Sequence, residues 1–160
     1  MKEIKIESKL YVFNSLSELP NEVLSLMEKA IKARDKAYAP YSKFNVGAAL
    51  ILDNNVVITG NNQENASYPS GLCAERTAIY YAGSQFPDAK VLRMAISATS
   101  KSKPTTDPIP PCGACRQAIA EYEIKQETPI EIFFMGELGK IVKSNSLSNL
   151  LPLVFDKNLL

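Results

Sequence analysis

The chain has 160 residues and a mass of 17.6 kDa, a length that favours one domain with its own core. A hydrophobic fraction of 46% is ordinary for a soluble globular protein, and a net charge of +1 argues against nucleic-acid and membrane partners. The N-terminus lacks the apolar core of a signal peptide, and no later run approaches the roughly 18 apolar residues of a membrane span. We therefore predict a cytoplasmic protein.

The first half of the chain alternates between strand and helix patterns. Pro40 disfavours helical backbone in the residue before it, so the first helix should end near Tyr38. Asp53-Asn54-Asn55 favours a turn between two apolar runs. The predicted elements are a strand or arm over residues 2–12, a helix over 17–38, hairpin strands over 44–52 and 56–60, and a loop over 61–72.

The second half continues this alternation. Its predicted elements are a helix over residues 73–82 capped by Gly83, a strand over 91–98, a proline-rich loop over 101–111, a helix over 112–122, strands over 130–135 and 140–143, and a short helix from Ser146 to Leu151. Strands that alternate with helices after a hairpin predict an α/β domain with a mixed sheet covered by helices.

All three cysteines lie at predicted helix starts. Cys112-x-x-Cys115 places two sulfurs on one helical turn, and Cys73 begins another helix, where N–H groups and the helix dipole favour thiolates. Three thiols predict a zinc ion with an open fourth position, which is typical of catalytic rather than structural sites. The chain has no histidine, so the ligands would all be thiolates. A thioredoxin-like redox pair is the alternative for Cys112 and Cys115.

Three charged residues are adjacent to these cysteines. Glu75 is either an ordinary helix-start carboxylate or a general acid/base beside the zinc site. Because zinc with three thiolates has a formal charge of −1, Arg76 and Arg116 could compensate the excess negative charge by hydrogen-bonding the sulfurs. Their alternative role is that of ordinary surface arginines.

Four segments together resemble the small, homotetrameric cytidine deaminases with three-cysteine zinc sites. They are YSKFNVGAA at residues 41–49, GNNQENASY at 60–68, GLCAERTA at 71–78 and PCGACRQ at 111–117. The last two contain a three-cysteine variant of the zinc-deaminase signature, in which a glutamate that is not a ligand acts as acid/base.

This resemblance implies a three-layer fold with a mixed five-stranded sheet, a single deaminase domain over residues 1–160, and one Zn²⁺ per subunit. Residues 1–20 would be an extension of unassigned role. It also implies a homotetramer with shared active sites. The implied roles are zinc ligands for Cys73, Cys112 and Cys115, acid/base for Glu75, pyrimidine contacts for Phe44 and the Ala74 backbone, ribose contacts for Asn62 and Glu64, and stacking on a base in a neighbouring subunit for Phe155.

The implied activity is hydrolysis of cytidine and 2′-deoxycytidine to uridine and 2′-deoxyuridine with release of ammonia, as in pyrimidine salvage. Another aminopyrimidine nucleoside, such as blasticidin S, is the alternative substrate. Nucleotide and tRNA-editing deaminases usually carry histidine at the position of Cys73. A structural zinc module would need a fourth protein ligand, for which the chain offers only Asp or Glu.

Overall fold

Six strands form one mixed sheet in the computed structural model, which describes all residues 1–160. The strand order is β1-β6-β5-β4-β2-β3. Only β4 and β5 are parallel, and every other neighbouring pair is antiparallel. The strands are β1 (Leu10–Phe13), β2 (Phe44–Leu52), β3 (Val57–Asn61), β4 (Val91–Ser100), β5 (Glu131–Met135) and β6 (Ile141–Ser144).

Three α-helices cover the two faces of this sheet: α1 (Asn21–Arg34), α2 (Ala74–Gln85) and α3 (Gly113–Gln126). Successive side chains of a strand point to opposite faces. In β4, Met94 and Ile96 accordingly join the core beneath α2 and α3, whereas Ala95 joins the core beneath α1. Burial on both faces explains why β2 and β4 are almost continuous apolar runs. No helix is both long and apolar enough to cross a membrane.

Two strand glycines let the helices approach the sheet closely. A Cβ at Gly60 in β3 would lie 2.5 Å from the carbonyl oxygen of Ala74 and 2.6 Å from the backbone nitrogen of Ala78, both in α2. A Cβ at Gly47 in β2 would overlap the backbone of α1 at Ala30. The glycine in β3 therefore sets the height of the first turn of α2 above the sheet.

The α/β class with a mixed sheet is confirmed, but the prediction of five strands is wrong. The additional strand is β1, which comes from residues 1–20 and pairs antiparallel with β6 from Leu10↔Ser144 to Phe13↔Ile141. The ring of Phe13 lies 6.4 Å from that of Phe133, which anchors β1 beside α1. The alternating pattern of residues 2–12 becomes a strand only in its last part.

Several predicted helix ends were also wrong. Helix α1 ends at Arg34 rather than near Tyr38, whose backbone N–H donates to the carbonyl oxygen of Asn62 and whose carbonyl accepts from the Glu64 N–H. Gly83 does not cap α2 but lies inside it, where a Cβ would overlap the Tyr122 side chain of α3. Long-range contacts account for both differences.

We expect Gly60→Ala to lower the free energy of unfolding by about 3 kcal/mol, because the added methyl group overlaps the α2 backbone. Thermal denaturation should show a decrease in Tm of about 10 °C. Gly113→Ala is the matched control, because a Cβ there has no neighbouring atom within 4 Å. Equal Tm values for the two variants would contradict the close packing of α2 on β3.

Candidate metal centre and adjoining cleft

Three sulfur atoms meet where two helices begin. Cys73 and Cys112 are the N-cap residues of α2 and α3, and Cys115 lies in the first turn of α3. The Cys73 and Cys112 Sγ atoms are 3.9 Å apart, and those of Cys112 and Cys115 are 3.5 Å apart. All three sulfurs lie within 4.8 Å of one another. The cysteines at both helix starts are thus brought together in space.

This spacing fits a zinc ion, and no two of the sulfurs are joined as a disulfide. A tetrahedral ion bound about 2.3 Å from each sulfur would hold the sulfurs about 3.8 Å apart. A disulfide would require about 2.05 Å, and all three cysteines are free. Three ligands leave a fourth position for a reactant. The chain has no histidine that could close it.

The two candidate arginines have different partners. The Arg76 Nη2 atom lies 3.7 Å from the Cys73 sulfur, so its charge offsets that of the thiolate directly. Arg116 instead donates to the carbonyl oxygens of Pro111 at 2.8 Å and Leu150 at 2.9 Å. It connects the approach to α3 with the C-terminal segment and has no hydrogen bond to a sulfur.

The sulfurs differ in their affinity for protons. A hydrogen bond from the Cys115 thiol, together with the nearby Arg76, lowers the pKa of Cys73 to about 5, although burial opposes this shift. The pKa of Cys115 is raised because its thiol donates that hydrogen bond and is buried. Cys73 therefore ionises more readily than Cys115.

Glu75 lies in the first turn of α2 and is only 4% exposed. Burial raises the pKa of its carboxyl group to about 7, against the opposing effect of a hydrogen bond from its own backbone N–H. The negative charge of Cys73 raises the pKa further. A carboxyl group in such a position can both accept and donate a proton beside the sulfur cluster.

The predicted substrate residues Phe44, Asn62 and Glu64 belong to one hydrogen-bonded network. The Asn62 side chain accepts from the Val46 N–H at 2.7 Å and donates to the Phe44 carbonyl at 2.9 Å. Glu64 accepts from the Ser42 hydroxyl, and the Ser42 oxygen accepts from the Phe44 N–H at 3.0 Å. The hydrogen bond from Ser42 lowers the pKa of Glu64, which keeps this carboxylate ionised.

A cleft of 380 Å³ connects this network to the sulfurs, since Asn62, Glu64, Cys73 and Arg76 all line it. Its exposed aromatic wall, Tyr41 and Tyr68, whose rings lie 6.2 Å apart, was not predicted. The only signal in the sequence was that both tyrosines lie within segments that resemble the deaminases, residues 41–49 and 60–68.

The other predicted contact residues do not line this cleft. They are Phe44, Ala74, Glu75 and Phe155. Ala74 is fully buried, whereas Phe155 is 60% exposed and its carbonyl accepts from Gln117 of α3 at 2.8 Å. Within one chain, Phe155 therefore lies apart from the network of Asn62 and Glu64.

Comparison with known proteins agrees with this geometry. Residues 20–128 match the family model described as the cytidine and deoxycytidylate deaminase zinc-binding region. The chain belongs to this family. Its relatives include a cytidine deaminase of Halalkalibacterium halodurans, 43% identical over 130 residues that cover 81% of this chain and 91% of the relative. A second, from Sporosarcina psychrophila, is 37% identical over 136 residues, which are 85% of this chain and 93% of the relative.

Solved structures of this family share the fold. The crystal structure of cytidine deaminase from Burkholderia pseudomallei superposes with a TM-score of 0.71 at 36% identity, covering 86% of this chain and all of the other. Cytidine deaminase from Mycobacterium tuberculosis gives a TM-score of 0.65 at 30% identity, with 86% and 99% of the two chains covered. The segment that precedes residue 20 lies outside the family match.

Because the two arginines have different partners, their glutamine variants should affect different properties of the protein. Arg76→Gln should reduce zinc affinity or turnover about tenfold with little change in Tm, because it removes a positive charge from a ligand sulfur. Arg116→Gln should lower Tm by about 5 °C, because two carbonyls lose a charged donor worth about 2 kcal/mol.

Zinc competition with a chromophoric chelator and thermal denaturation would measure both effects, with each variant serving as the control for the other. If Arg76→Gln left zinc affinity and turnover unchanged, the charge-compensation role of Arg76 would be wrong.

Proposed function

We propose that the protein is a zinc-dependent enzyme that hydrolyses cytidine and 2′-deoxycytidine to uridine and 2′-deoxyuridine, with release of ammonia. The observation that carries the proposal is the cluster of three sulfurs beside the buried carboxyl of Glu75, at the edge of a cleft of 380 Å³. Zinc deaminases of bases combine such ligands with a glutamate that is not a ligand. The relatives named as cytidine deaminases support a nucleoside substrate.

Cys73, Cys112 and Cys115 would hold one Zn²⁺ per subunit, and the ion when bound supplies a Lewis acid that makes water nucleophilic near neutral pH. Glu75 would accept a proton from the attacking water and donate it to N3 of the pyrimidine as C4 is attacked. It would then take the remaining proton of that water, from the hydroxyl group now on C4, and pass it to the amine, so that the C4–N bond breaks, ammonia leaves and C4 becomes a carbonyl. The Ala74 backbone N–H would bind the pyrimidine carbonyl.

Phe44 would pack on the base, and Asn62 and Glu64 would bind the ribose 3′-hydroxyl. The Asn62 amide uses one N–H and one oxygen lone pair within the protein, so one of each remains for a ligand. Glu64 is an ionised acceptor on the same cleft wall. A donor–acceptor side chain next to a carboxylate suits a sugar hydroxyl, which both donates and accepts.

We also propose a homotetramer in which Phe155 reaches the site of a neighbouring subunit. Its exposed ring and its attachment to α3 through Gln117 support a contact outside its own chain. Residues 1–160 would form one deaminase domain. A site of three thiolates needs reduced cysteines, which supports a cytoplasmic location and a role in pyrimidine salvage.

The direct test is to incubate the zinc-loaded protein with cytidine and follow the absorbance band of the substrate. We expect the band to disappear with release of one equivalent of ammonia, because replacing the C4 amine changes the chromophore. Removal of zinc with a chelator should stop the reaction. A protein that deaminates blasticidin S but leaves cytidine and 2′-deoxycytidine intact would contradict the proposed substrate.

The proposed role of Glu75 leads to a second expectation. Glu75→Gln should retain zinc but lower kcat at least about a hundredfold, because an amide cannot transfer the proton. Glu28→Gln, at an exposed position on α1, is the matched control and should retain full activity. Steady-state kinetics and metal analysis would measure both properties, and normal turnover of Glu75→Gln would show that another group moves the proton.

A further inference from the structure

We propose that residues 3–13 form an interface with a second copy of this chain, as an antiparallel strand pair centred on Ser8. The segment precedes residue 20, where the family match begins. It includes β1, which ends the strand order and pairs with β6 along only one of its sides. The backbone groups on the other side of β1 are available to a further strand.

The segment carries a row of exposed apolar side chains. Ile4 and Ile6 are 80% and 48% exposed, and Leu10 and Val12 are 43% and 57% exposed. All four occupy even positions, so an extended chain places them on one face. Phe13, at an odd position, packs against Phe133 on the opposite face. This apolar row is therefore separate from the core beneath α1.

A two-fold axis at Ser8 pairs these side chains with one another. Each residue then faces the one equally far beyond Ser8 in the second chain, so that Ile4 lies opposite Val12 and Ile6 opposite Leu10. On the other face, Glu7 lies opposite Lys9, which is a favourable cross-strand charge pair. The row of apolar side chains and the charges are thus complementary in the same register.

Neighbouring registers that keep the apolar face intact bring like charges together. Centring the pair on Glu7 would place Lys5 opposite Lys9, and centring it on Lys9 would place that lysine opposite itself. Like charges directly opposite each other destabilise a strand pair. Within one chain, the Lys5 and Glu7 side chains already form an ion pair of 2.5 Å, and Lys9 lies over the Tyr11 ring at 5.4 Å. Both contacts join positions two apart and leave the apolar face uncovered.

The same register could in principle close a hairpin within one chain. Its turn would be Glu7-Ser8-Lys9, which lacks the glycine, asparagine or aspartate that tight hairpins favour. Residues 1–9 form no strand in the structure. Pairing with a second copy is therefore more favourable for this segment than a hairpin within its own chain.

The paired segments would join two six-stranded sheets into one continuous sheet. The contact is isologous, so both copies contribute the same segment. Because β1 and β3 are at opposite ends of the strand order, this interface lies at the edge of the sheet opposite β3, the strand on which α2 packs. It shares no residue with the proposed deaminase site.

Ser8→Cys in the full-length, zinc-loaded protein tests the two-fold axis. Opposite residues of antiparallel strands have Cα atoms about 4.5–5.5 Å apart, which suits a disulfide. We expect mild oxidation to convert most of the variant to a covalent dimer on a non-reducing gel. Asn14→Cys, exposed and beyond the paired segment, is the matched control and should give no more dimer than the unmodified chain. Equal yields at the two positions would overturn the proposal.

Charge reversal tests the register. In the Ser8→Cys protein, Glu7→Lys should weaken dimerisation about tenfold, because it places two lysines opposite each other at two positions of the symmetric pair. Adding Lys9→Glu should restore dimerisation, because the charges are then exchanged rather than matched. Cross-linking yield as a function of protein concentration measures both. Failure of the double variant to recover would show that the segments do not pair in this register.

Discussion

The position of α2 on the sheet determines whether the three sulfurs can meet. Cys73 precedes α2, whereas Cys112 and Cys115 belong to α3, so the cluster exists only if both helices begin at the same place. The backbone of Gly60 sets the height of α2, and Gly83 sets its approach to Tyr122 of α3. The close packing of Gly60 against the α2 backbone and of Gly83 against the Tyr122 ring thus determines whether the sulfur cluster can form.

The sequence was most informative where local chemistry determines structure. Cysteines at helix starts predicted both the helices and the sulfur cluster, because N-terminal turns favour thiolates and three thiols in a chain without histidine leave few alternatives. The turn at residues 53–55 predicted the β2–β3 hairpin for a similar reason. In these cases the signal lies within a few residues of the element that it specifies.

Features that depend on distant residues could not be predicted in this way. The end of α1 depends on hydrogen bonds between Tyr38 and the segment after β3, and Gly83 is explained only by the Tyr122 ring. Arg116 adjoins a cysteine in sequence, yet it bonds carbonyls from two other segments. β1 was missed as part of the sheet because nothing local identifies β6 as its partner.

The absence of any cysteine outside the cluster makes the protein its own reporter of metal content. Every thiol in the chain belongs to the three residues that meet at the helix starts. Bound metal shields thiolates from alkylating reagents, so a count of reactive thiols per chain would measure the fraction of empty sites with no background from the rest of the molecule. Because the chain has no other thiol to replace them, oxidation of Cys112 and Cys115 to a disulfide would abolish every function that depends on the metal.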